Sequence, residues 1–179
     1  MNSSPSRLPE EVLSELAKSR CPVRFRSDGV SMHPYIRKGD TVTIVPPEGE
    51  GGGIIIGDVV LIAGKAGRCS LHRVIAREGA DAVVTKGDAL LHADPPASPG
   101  EIRGRVISVE RRGSRREYGL GGPSSRRFHF CIALLSRMEA SVVGALFPSS
   151  RKSGNGPFLS ALLRAVKFPK WLLIRIFSP

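Results

Sequence analysis

The chain has 179 residues, 41% of them apolar, and a formal charge of +11. That is enough apolar matter for one packed domain with an appendage, and the charge points to an anionic partner, nucleic acid or anionic lipid. Cys21, Cys69 and Cys131 are odd in number and far apart, so they form no visible disulfide framework and fit a reducing compartment.

Met1 to Arg7 is mostly polar and does not read as a signal peptide. Residues 10–19 read as a short helix with Val12, Leu13, Leu16 and Ala17 along one stripe. No stretch holds the ~18 uninterrupted apolar residues of a spanning helix. The expectation is therefore a cytoplasmic or peripherally membrane-associated protein.

Twenty Gly and 14 Pro imply many turns and short strands. Val23 and Phe25 alternate with polar residues, as in a half-buried strand, and Thr41–Val45 reads as a second one. Between them Asp28-Gly29, Pro34 and Gly39-Asp40 interrupt any ladder, with Gly29 suited to a positive φ. Ser31 thus sits on a short bend between two strands. A serine there either caps a turn or presents its hydroxyl for chemistry.

Pro46 to Gly53 reads as a loop, and its glycines lack the Gly-Lys-Ser/Thr ending of a phosphate loop. Strands follow over 58–62, 70–75, 82–85 and 102–109, with turns at Gly64–Gly67 and Lys86-Gly87-Asp88. The whole pattern predicts a mostly β core.

After Arg111 the composition changes. Residues 111–125 read as a basic linker. Residues 126–147 read as a helix with Cys131, Leu134, Leu135, Met138, Val142 and Leu146 on its apolar face. A last amphipathic piece over 158–177 is broken at Pro169. Four parts result: a lead-in over 1–22, a β core over 23–110, the linker, and a basic helical tail over 126–179. In the tail Arg164, Lys167, Lys170, Trp171 and Arg175 suit an anionic membrane surface, or an ordinary helix packed on the core. Few aromatics and no reading motif speak against nucleic acid.

A serine hydroxyl needs a base to take its proton, and a histidine base needs a carboxylate to fix its tautomer. Ser31, His72 and the acids Asp88 and Asp94 supply one of each type on neighbouring β elements. His72 could equally be structural, Asp88 a turn former, and Lys65 a rival base, although a turn flanked by glycines desolvates a lysine poorly. Cys69 and His72 have the separation of a zinc pair, but no second pair accompanies them. His33 and His92 read as solvated loop residues.

Gly-Val-Ser31-Met-His-Pro, Lys-Gly-Asp40, Gly-Asp58-Val-Val, His72-Arg-Val-Ile and Lys-Gly-Asp88 closely resemble, in order and spacing, the boxes of the signal peptidase I family. The resemblance covers about Val23 to Val109. It implies a coiled, antiparallel β peptidase core, and a serine endopeptidase that cuts leader-like peptides or precursors after small residues, without a cofactor. It implies Ser31 as nucleophile, with its backbone N–H as an oxyanion donor. His72, where common bacterial members carry lysine, resembles the endoplasmic-reticulum-type branch, and Asp94 matches that branch's acid in spacing, with Asp88 as second choice. Family members usually carry a spanning anchor before the serine box, which this sequence does not show. Two alternatives stay open: a self-cleaving repressor-type peptidase, for which residues 1–22 hold too little for a helix-turn-helix, and a non-enzymatic membrane- or anion-binding module on a retired peptidase fold.

Overall fold

A computed structural model describes residues 21–47, 53–64, 69–79, 81–111, 123–146 and 168–174. The expected helix over 10–19, Lys65, most of the linker, and Arg164, Lys167 and Arg175 lie outside the described residues.

Among the described residues the protein is mostly β. Six strands, β1 (Val23–Arg26), β2 (Thr41–Val45), β3 (Val59–Ala63), β4 (Cys69–Glu78), β5 (Ala82–Lys86) and β6 (Ile102–Glu110), form one antiparallel sheet in the order β1-β2-β6-β3-β4-β5. All six coincide with the strands expected from the sequence. β4 runs longer than expected, because its polar end, Arg77 and Glu78, still pairs with Val83 and Ala82. Helix α1 spans Pro123–Leu146. A second helix, α2, occupies residues 168–174. Pro169 lies within these helical residues, and the rest of the expected piece over 158–177 lies outside the described residues.

The sheet is covered on both faces, which explains why β3 is apolar at consecutive positions: Val59, Val60 and Leu61 are all fully buried. Val59 and Leu61 join Met32, Tyr35, Ile36, Val42, Ile44, Val106, Ile132 and Ile174 in the larger core, under the two helices. Val60 joins Ile54, Val74, Val83, Ala97 and Ile102 in a smaller core on the opposite face. Full burial of one such side chain contributes about 1.5–3 kcal/mol.

The orientation of α1 differs from expectation. The apolar stripe read from the sequence faces outward: Cys131, Leu134, Met138 and Val142 are exposed, and so is Phe130. The face turned to the sheet carries His129, Ile132, Ala133, Ser136, Glu139 and Val143. The reason lies in the sheet, which presents fully buried Arg73 and Lys86. Buried cations require partners, and α1 supplies them. Lys86 Nζ donates to Glu139 at 2.8 Å, and Arg73 Nη1 donates to His129 Nδ1 at 2.7 Å.

Residues 125–145 are long and apolar enough to cross a membrane by length and composition. That differs from the expectation that no segment would qualify. The same test is passed by core helices, and α1 holds its polar side against the sheet.

Candidate active site

β1 and β2 are joined by an excursion closed at its neck. Ser27 N–H donates to the Asp40 carbonyl at 2.8 Å, and Gly39 N–H returns to the Ser27 carbonyl at 2.6 Å. The left-handed backbone conformation sits at Gly39 (φ 94°), not at Gly29. Asp40 closes the same turn by accepting from Arg37 N–H at 2.9 Å, and Arg111, the first residue of the expected linker, reaches the Tyr35 carbonyl at 3.1 Å. Met32, Tyr35 and Ile36 plug the excursion into the larger core. Ser31, beside them, remains half-buried.

The tip is fixed as well. The Ser31 carbonyl accepts from Ala89 N–H at 2.8 Å, in the turn that follows β5. Gly87 is needed there, since a Cβ would lie 2.8 Å from the Ser31 oxygen. The serine bend is thus tied to the Lys86-Gly87-Asp88 turn, one strand away from β4. The Ser31 N–H donates to no backbone group among the described residues.

His72 lies on β4, opposite Val60 of β3, and is buried. Its Nδ1 stands 2.5 Å from Asp94 Oδ2. The same carboxylate oxygen accepts from Thr85 Oγ1 at 2.7 Å. Asp94 N–H donates to the Thr85 carbonyl at 2.8 Å, which fixes the backbone of the loop carrying the acid. A carboxylate accepting here places the imidazole proton on Nδ1 and leaves the Nε2 lone pair for other work. Side-chain hydrogen bonds of the described residues join His72 to Asp94 and do not join Ser31 to His72.

Asp88 has a different place. It forms a two-pronged ion pair with Arg73, at 3.0 and 2.7 Å, and both side chains are completely buried. Burial pushes its carboxyl up, but the Arg73 guanidinium outweighs that and holds it below the usual carboxylate range. Asp88 is therefore neither the acid beside His72 nor a mere turn former bonded to nearby backbone. Arg73 also donates to the Gly57 carbonyl at 3.0 Å and lies over the Tyr35 ring, 4.9 Å from its centroid. His129 accepts from Arg73 at Nδ1 and meets the Tyr35 hydroxyl at Nε2 over 3.1 Å. Burial, and then the Arg73 charge, bring its pKa down to about 3, so it stays neutral.

Lys170 is a further correction. Expected at a membrane surface, it is buried, and its ammonium donates to Glu139 at 2.6 Å and to the Asp88 carbonyl at 2.7 Å. Trp171 is exposed beside it, with Phe168 stacked on it at 6.2 Å between centroids. Burial, and then the Lys170 charge, bring Lys86 down to about 8 despite the neighbouring Glu139 carboxylate. His33 and His92 are exposed, as expected. Burial, followed by Arg37 and Arg111, lowers the His33 pKa.

Adjacent residues thus serve opposite faces of the sheet. His72, Thr85 and Asp94 stand on the side of the smaller core, and Arg73 and Lys86 on the side of the helices. Thr85, Arg73, His129 and the role of Lys170 were not visible to sequence reasoning. For Arg73, His129 and Lys170 the only signal was a polar or charged residue inside otherwise apolar strands and helices, and Thr85 gave none. No three His, Cys, Asp or Glu side chains among the described residues cluster as metal ligands. No protein-family model, curated protein or solved structure compared with the chain matches it.

Proposed function

We propose that this protein is a serine-type endopeptidase of the signal peptidase I kind, acting on an extended leader-like or precursor peptide with small residues before the cut. The observation that carries the reading is the His72 Nδ1–Asp94 Oδ2 contact of 2.5 Å, reinforced by Thr85. In this reading Ser31 Oγ adds to the scissile carbonyl carbon while His72 Nε2 takes the hydroxyl proton. Asp94 holds the imidazole tautomer and stabilises the cation that forms. The Ser31 N–H donates to the oxyanion. Collapse passes the proton from His72 to the departing amine and leaves an acyl group on Ser31. Water, deprotonated by the same imidazole, then releases the acid and restores the serine. The chemistry needs no cofactor.

The test is covalent labelling with a fluorophosphonate probe, with the labelled residue located by mass spectrometry. Labelling at Ser31 is expected in the unchanged protein and none in Ser31→Ala or His72→Ala. Asp94→Asn should slow it by ~10³–10⁴, the effect of losing the correct tautomer. A folded protein that acylates equally well after Ser31→Ala would end the reading.

A second reading, a binding module for an anionic bilayer surface, is favoured by a separate observation. Phe130, Leu134, Met138 and Val142 form an exposed apolar line on α1, with exposed Arg126, Arg127 and Arg137 around it. Phe168, Trp171 and Leu172 add exposed apolar surface on α2. Apolar side chains ringed by arginines, on a chain of net charge +11, complement a bilayer carrying anionic headgroups. The two readings are compatible, since this surface and the His72–Asp94 pair lie on opposite sides of the sheet.

A further inference from the structure

The peptide unit between Asp88 and Ala89 is engaged at both ends. Its carbonyl accepts from the Lys170 ammonium at 2.7 Å. Its N–H donates to the Ser31 carbonyl at 2.8 Å. A cation on the oxygen of an amide polarises it and strengthens its N–H as a donor. Lys170 is in turn held by Glu139 on α1 at 2.6 Å. The turn cannot drift sideways, because Leu90 N–H closes onto the Gly87 carbonyl at 3.0 Å and the Asp88 carboxylate is clamped by Arg73.

We propose that Lys170 is a positioning residue, and that α2 controls the serine bend through a relay of Lys170, the Asp88–Ala89 peptide and the Ser31 carbonyl. The Ser31 N–H and carbonyl lie in successive peptide units joined at the Ser31 Cα, so anchoring the carbonyl narrows the directions open to the N–H. When α2 is docked, the bend is pinned at its tip. When α2 lifts away, the amide loses its cation and the turn loses a buried anchor, which leaves the bend its neck, its core plug and a weakened Ala89 bond at the tip. Exposed Phe168, Trp171 and Leu172 on the outer side of α2 give a surface through which a binding event could bias that equilibrium. The consequence for reactivity rests on the reading of Ser31 as nucleophile; the relay itself does not.

The test uses the full chain with Lys170→Met, and Lys170→Arg as the charge-retaining rescue. Loss of Lys170 strands no buried carboxylate, since Lys86 remains against Glu139 at 2.8 Å. Two readouts are taken together: amide hydrogen exchange at Ala89 by NMR, and the fluorophosphonate labelling rate of Ser31. In Lys170→Met, Ala89 should exchange on the order of tenfold faster and Ser31 should label on the order of tenfold more slowly, while Val60 in the sheet centre is unchanged. Lys170→Arg should recover part of both. Unchanged protection at Ala89 in the methionine variant overturns the relay. A native protein that never labels at Ser31 defeats the peptidase reading, while Ala89 exchange still judges the relay. Should the methionine variant fail to fold, the unmodified protein decides. There Ala89 and the amides at the end of α2 should open together with one denaturant dependence. Ala89 protected up to global unfolding, after α2 has already opened, refutes the relay.

Discussion

His129 makes a prediction whose size follows from its surroundings. Its ring is buried and the Arg73 charge lies against its Nδ1, so its pKa falls from 6.5 to about 3. An unfolded chain takes up a proton at this residue below about pH 6.5, and the folded chain does not until about pH 3. The unfolded state therefore binds more protons in that window, and stability drops as the pH falls through it. At ~1.4 kcal/mol per pH unit, the loss from this one side chain is about 3 kcal/mol at pH 4.5. For a chain of this length that corresponds to a melting point lower by roughly 6–12 °C. The perturbation is His129→Gln. Its Oε1 can still accept from Arg73 and its Nε2 can donate to the Tyr35 oxygen, but it does not titrate. Thermal unfolding of both proteins from pH 7.5 to 4.5 gives the difference directly. Carboxylates such as Asp88 contribute equally to both curves and cancel. The glutamine variant should start somewhat less stable and lose about 3 kcal/mol less over the range. Two curves falling in parallel would refute the reasoning.

Two further outcomes follow. Gly57 has φ 104°, and an added Cβ would lie 2.9 Å from the His129 carbonyl carbon, so Gly57→Ala should lower stability by about 2–4 kcal/mol in a denaturant titration. Leu134→Glu with Met138→Glu, both at exposed sites, should leave that titration nearly unchanged, yet reduce flotation with phosphatidylglycerol vesicles at least about tenfold. Equal flotation of the double variant would remove the bilayer reading for α1.

The strands were legible because alternation and turn residues are local signals. β1 and β2 each follow a period of two, and β3 announces itself as a short apolar run between glycines. The face of α1 was not legible. A stripe rule assumes that apolar residues turn inward, whereas here the sheet offers Arg73 and Lys86, and α1 answers with His129 and Glu139. Pairing of buried charges is a long-range property, and no window of sequence contains both partners. The same applies to Lys170, which a cationic, Trp-bearing segment presents as a surface residue and which the fold uses inside. Asp94 was reached through the spacing of a family resemblance; its position beside His72 depends on a backbone contact with Thr85 that no spacing reveals. The bend at Ser31 was readable as a bend, but its anchor at Ala89 was not.

Lys170 and the carbonyl it grips are 82 positions apart in sequence. During translation the sheet can assemble while later codons are still being read, yet the brace beneath the serine bend arrives only with α2. A nascent chain would thus carry the histidine–aspartate pair well before Lys170 can brace the turn that holds the Ser31 carbonyl. On the peptidase reading proposed above, such an order of events would leave Ser31 without its Lys170 brace until the tail has been made.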